Sequence, residues 1–145
     1  MSLTDWKAAG WLVEHEPSQD ETRALLGVVD RDLRDSEVAA LSPDTQLGLA
    51  YNAALQAGTI ALAAHGCRAS RERKHYVTIQ SLAITIGADP VTVRKLDAFR
   101  KKRNIGDYER AGSTSTTEAA ELRELARELR AAVHAWLEHH HPELL

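Results

Sequence analysis

Four times along this chain a helix-start signal opens a run of apolar residues at three- and four-residue spacing. That punctuation limits the fold more than any other feature. Ser18-x-x-Glu21, following Pro17, reads as a capping box, in which a hydroxyl and a carboxylate satisfy backbone groups left free by the first turn. Leu25, Val29 and Leu33 then follow at spacings of four. Ser42-Pro43 offers an N-cap and a proline at the first helical position. Leu47, Ala50, Tyr51, Ala54, Leu55, Gly58 and Leu62 share a face after it, and Gly66 is a C-terminal stop. Asp89-Pro90 starts a helix through Val93, Leu96 and Phe99. Ser115-x-x-Glu118 opens the last one, with Leu122, Leu125, Leu129, Val133 and Trp136 along its buried stripe and Pro142 at its end.

The segments between these signals read less sharply. Residues 67–74 form a basic linker, and residues 75–86 a helix closed by Gly87. Tyr76-Val77-Thr78-Ile79 has strand-like composition, yet it lacks alternation and no partner strand is in view. A short helix is predicted at the front, over about residues 2–14, with the bundle spanning about 18–140. Short connections between apolar helices predict an all-α, up-and-down helical bundle of four to five helices. A chain of 145 residues suits one domain and one core, so residues 1–145 are read as a single unit. The Leu- and Ala-rich composition, with only 5% aromatic residues, leans the same way.

Several function classes drop out. One cysteine, Cys67, excludes an internal disulfide and fits a reducing cytosol, hence a cytoplasmic protein. The N-terminus lacks the basic-then-apolar pattern of a signal peptide, and the longest apolar stretches are interrupted short of a membrane span, so no membrane is expected. Cys67 has no Cys or His at metal spacing. His139, His140 and His141 are adjacent on a helix and point to different faces, so neither metal nor cofactor is expected. A glycine-rich nucleotide loop and a serine-nucleophile elbow are both missing.

The charge is unevenly spread. Residues 68–110 carry eleven Lys or Arg against five Asp or Glu, a local +6, while the rest carries −9. Such asymmetry suits a cationic surface for an anionic partner. Towards its C-terminal end stands RKKRNIGDY, residues 100–108. Read from the residues alone, Arg103 and Asn104 could cap a helix C-terminus, Gly106 could stop or kink the helix, and Arg100, Lys101 and Lys102 could be a solvated face. The spacing Arg103-Asn104-x-x-x-Tyr108 also has the form of a catalytic motif.

With "LAYNAALQAGTIALAAHG" (49–66), "KHYVTIQSLAITIG" (74–87) and "LRAAVHAWLEHHHPEL" (129–144), that motif resembles the HEPN (higher eukaryotes and prokaryotes nucleotide-binding) domains over nearly the whole chain. Those are all-helical bundles, many of them metal-independent RNases whose motif is Arg, a polar residue, three variable residues and His. Arg103 and Asn104 match the first two positions, and Tyr108 stands where the family has histidine. The resemblance implies that Arg103 grips phosphate with its planar fork. It leaves proton transfer to Tyr108, whose ordinary pKa of about 10 makes a poor base. Arg100, Lys101, Lys102, Arg103, Lys74 and His75 are then the expected binding residues. Arg103, Asn104 and Tyr108 form the degenerate catalytic set, and His75 is the next candidate for the proton.

The resemblance further implies a homodimer with two motif copies facing a shared cleft, and a small nucleotidyltransferase-like antitoxin as partner. Three functions remain open on this basis. One is an RNA- or nucleotide-binding protein without efficient cleavage, one an endoribonuclease toxin, and one a helical protein-interaction domain.

Overall fold

The computed structural model describes residues 2–108 and 114–145, with the side chains of residues 104–108 outside that description. The helix-start signals do their work locally. Ser18, Ser42 and Ser115 are the N-caps of α2 (Gln19–Asp35), α3 (Pro43–Ala64) and α6 (Thr116–His140). Each serine hydroxyl accepts the backbone N–H three residues on, at 3.1, 3.2 and 3.0 Å. Such a bond contributes about 1 kcal/mol per helix. At Ser115 the box is reciprocal, with Glu118 Oε1 accepting the Ser115 N–H at 3.0 Å. At Ser18 it is not, which corrects the expected box. Glu21 instead holds His15 Nε2 at 2.8 and 2.9 Å, because the chain before the helix brings that ring over its first turn. Asp89 Oδ1 accepts the Val91 N–H at 2.7 Å and starts α5 (Pro90–Tyr108). That helix runs past Gly106, so Arg103 and Asn104 lie inside it rather than at its C-terminal cap.

The front of the chain differs from the expected helix over 2–14. Helix α1 covers only Leu3–Ala8, capped by a reciprocal Ser2–Asp5 box. Gly10, at φ 80°, turns the chain into a conformation that favours glycine. Leu12–Glu14 (β1) then pairs antiparallel with Cys67–Ala69 (β2), in the register Leu12 to Ala69 and Glu14 to Cys67. The supposed basic linker is therefore this strand, a 3-10 turn at Arg71–Arg73 and the start of α4 (Lys74–Thr85). Three-residue strands are too short to show alternation, and Gly66, again at φ 80°, is what returns the chain for pairing. Trp6, Leu12, Leu62, Cys67, Ala69 and Val77 form a small second core under this ribbon.

Helix α3 is the axis of a mostly helical bundle. It packs against α2, α4, α5 and α6 and is buried almost all round, including Ala53, Ala57, Ile60 and Ala61 off the expected face. A helix apolar around its circumference belongs in an interior. Its small residues let neighbours approach: a Cβ at Gly58 would stand 2.8 Å from Thr78 Cγ2 on α4. By length and by a mean hydropathy of 1.2, α3 could cross a membrane, and 67% of that window is buried inside the fold. Leu55, Leu82, Leu96 and Leu125 lie in the main core as expected, with Leu25 and Trp136 packed at its edge.

Polar ties join α2 to its neighbours. Asp32 is 2% exposed and accepts Asn52 Nδ2 of α3 at 2.6 Å. Arg130 of α6 grips Asp30 with two bonds, at 3.0 and 3.2 Å. Arg123 of α6 donates to the hydroxyl and carbonyl of the buried Ser36, satisfying the C-terminal end of α2.

Candidate functional site

Asp97, Arg100 and Arg103 recur at three-residue spacing, so they share one face of α5. That face meets the start of α4 and the middle of α3. Tyr51, projecting from the Ala-rich α3, is 2% exposed, and a buried phenol needs a partner for its hydroxyl. It finds His75 of α4, with Oη 3.1 Å from Nδ1 and the rings 5.7 Å apart. The Arg103 guanidinium lies over the Tyr51 ring, 5.1 Å from its centroid. Arg100 lies over Tyr76 at 5.4 Å and bonds Asp97 at 2.8 Å. Cation–π contacts of this kind hold guanidinium planes in place without neutralising them.

An open groove of about 550 Å³ lies beside this cluster, lined by Arg71, Arg73, Lys74, His75, Tyr76 and Arg100, with Glu72 as its one carboxylate among the described residues. Arg73 stacks on Trp11 at 5.3 Å. Among the described residues Arg71, Arg73, Lys74 and Arg103 make no ion pair.

The electrostatics set protonation states. Burial pushes the Tyr51 phenol up to about 12, against the pull of Arg103 and Arg100. It is therefore a neutral O–H donor near pH 7. Burial, then Arg103, Lys74 and Arg100, hold His75 below its usual pKa. A neutral imidazole accepting the phenol at Nδ1 carries its proton on Nε2. The arrangement offers cations for phosphate charge and an uncharged imidazole oriented by a hydrogen bond.

The expected residues divide. Arg100, Arg103, Lys74 and His75 converge. Lys102 turns away to Glu118 of α6 at 2.9 Å, and that bond heads the causes that lower the Glu118 pKa. Lys101 sits exposed, 3.5 Å from Asp97. The side chains of Asn104 and Tyr108 lie outside the described residues. Sequence reasoning missed Tyr51 as a site residue, having read it as core. The signal was there, since a hydroxyl in the middle of an alanine-rich buried face requires a polar partner. It also missed Arg71 and Arg73, taken as linker. His65 caps α3, and its ring stacks on Trp136 at 4.9 Å, with His140 and His141 around the same indole. Among the described residues no group of three or more His, Cys, Asp or Glu is placed to hold a metal.

Fold and site together define a helical-bundle protein with a cationic groove built around a Tyr–His–Arg cluster. Comparison of the chain with protein-family models, with curated proteins and with solved structures finds no match.

Proposed function

We propose that this is a HEPN-like protein whose groove binds the phosphates of RNA or a nucleotide. The observation that carries the reading is the groove lined by Arg71, Arg73, Lys74 and Arg100, with Arg103 held over Tyr51 beside it; four of these five cations make no ion pair among the described residues. Exposed Tyr76 and half-buried Trp11, each under a guanidinium, are suited to stack on bases as well. The motif Arg103-Asn104-x-x-x-Tyr108 keeps the phosphate-gripping half of the family's pattern, so binding without efficient cleavage is the favoured function. A homodimer and a nucleotidyltransferase-like antitoxin belong to the same proposal through the resemblance.

Endoribonuclease activity is the second reading, and one observation favours it. His75 is neutral and held by Tyr51 near Arg103; in the tautomer whose Nδ1–H donates to the phenol oxygen, its Nε2 can accept a proton beside a phosphate-binding cation. RNA binding measured across a salt series, with cleavage followed in EDTA, separates the readings. Binding that weakens steeply with salt and falls in Arg103→Ala, without cleavage, supports the first. Cleavage in EDTA that is lost in His75→Gln, with binding retained, supports the second. No binding at low salt sinks both and leaves a protein-interaction domain.

A further inference from the structure

Behind the 3-10 turn lies a second, more enclosed space of about 410 Å³, between α2, α3, β2 and the start of α4. That volume falls within the roughly 300–1,000 Å³ of small-molecule sites. Leu25, Leu62, Ala63 and Ala69 give it an apolar wall, and the two alanines leave the room. Gln56 and Thr59 supply polar atoms from α3. The Gln56 amide nitrogen donates to Asn52 at 3.3 Å and the Thr59 hydroxyl to the Leu55 carbonyl at 3.0 Å, so the oxygens of both can still accept. Arg68, Arg71 and Lys74 border the same space, and among the described residues none of the three is in an ion pair, while Glu21, the one carboxylate among the lining residues, is bonded to His15, also on the lining, at 2.8 Å.

These features specify a ligand chemistry. Three cations against one carboxylate that is bonded to His15 leave a positive excess, which calls for an anion of more than one charge, and two guanidinium forks match phosphate oxygens. The apolar wall calls for a compact ring system, and the accepting oxygens for hydrogen-bond donors on it. We propose that the inner cavity binds a small organic phosphate monoester, a compact ring body carrying one phosphate. Arg71 and Lys74 line both this cavity and the groove. A consequence that rests on the groove reading follows: the small phosphate and RNA draw on the same two cations, so each weakens the other by an equal factor.

The test uses the full-length protein at low salt with phenyl phosphate and AMP as probes, and inorganic phosphate and adenosine as controls, read by calorimetry and thermal shift. At least one probe is expected to bind tenfold or more tightly than either control. Arg68→Ala, an exposed residue of the inner cavity alone, should weaken that probe roughly tenfold, as expected for a lost charged hydrogen bond. Arg100→Ala, which borders only the groove, should change it less than about twofold. Inorganic phosphate binding as well as both probes would mean an adventitious ion only. That result, no binding of either probe, or loss in Arg100→Ala with Arg68→Ala unaffected, overturns the proposal. The titration contains no RNA, so it stands or falls independently of RNA binding by the groove.

Discussion

Towards α2 and α6, the polar groups bordering the core are paired: Asp32 with Asn52, Asp30 with Arg130, Ser36 with Arg123. On the side of α4 and α5, Arg103, Lys74, Arg71 and Arg73 make no ion pair among the described residues; there Tyr51 of the same central helix bonds His75, and its cap residue His65 bonds the Thr85 carbonyl. Like charges gathered without counter-charges repel and cost folding free energy. The first flank is therefore organised for stability. The second leaves its charge unpaired among the described residues, as the proposed phosphate binding requires, and its rings hold the guanidinium groups in position.

The contrast can be broken most directly on the paired flank. Asp32→Ala removes a buried acceptor and leaves Asn52 without its short bond. It should cost about 3 kcal/mol in urea unfolding with an unchanged m-value, and should leave RNA binding alone. A loss below 1 kcal/mol would mean that this flank does not depend on its polar ties.

Gly58→Val asks whether the groove flank is well packed despite its loose electrostatics. The added methyls would press on Thr78 where a Cβ alone already reaches 2.8 Å, so about 2 kcal/mol should be lost. Full stability in this variant would show that α4 gives way easily.

Arg103→Ala sharpens the comparison from the other side. RNA affinity should fall about tenfold, roughly 1.4 kcal/mol, and the salt slope by about one. Thermal stability should hold or rise slightly, because a repelling cation is gone. Destabilisation beyond 1 kcal/mol would assign Arg103 to structure.

The smallest expected effect is in pH. The folded chain holds His75 below its ordinary 6.5, through burial and through Arg103, Lys74 and Arg100, while Tyr51 faces it from α3. As pH falls, the unfolded chain takes the proton first. This group's stabilisation is complete above about 6.5 and is lost below it. Melting temperatures of His75→Gln should therefore decline less between pH 7.5 and 5.5 than those of the parent chain. Parallel curves would show that the surroundings of His75 do not disfavour its charge.

The sequence by itself determined the helices α2, α3, α5 and α6, because caps and stops act between residues three or four apart and leave their mark in the order of residues. Charge density also marked residues 68–110 as cationic, and the family resemblance picked out Arg100, Lys101, Lys102, Arg103, Lys74 and His75 within it. Tertiary structure decided the rest. The ribbon joins residues 12–14 to residues 67–69, and the bond between Tyr51 and His75 spans 24 positions. Such partners are chosen by which faces pack together. Lys102 shows the same dependence in reverse: within a run of four cations, the packing of α6 took this one for Glu118 and left Arg103 over Tyr51. Local order dictates where a helix begins, but only the assembled bundle sets which of its charges lack a partner, since the partners come from helices far away in sequence.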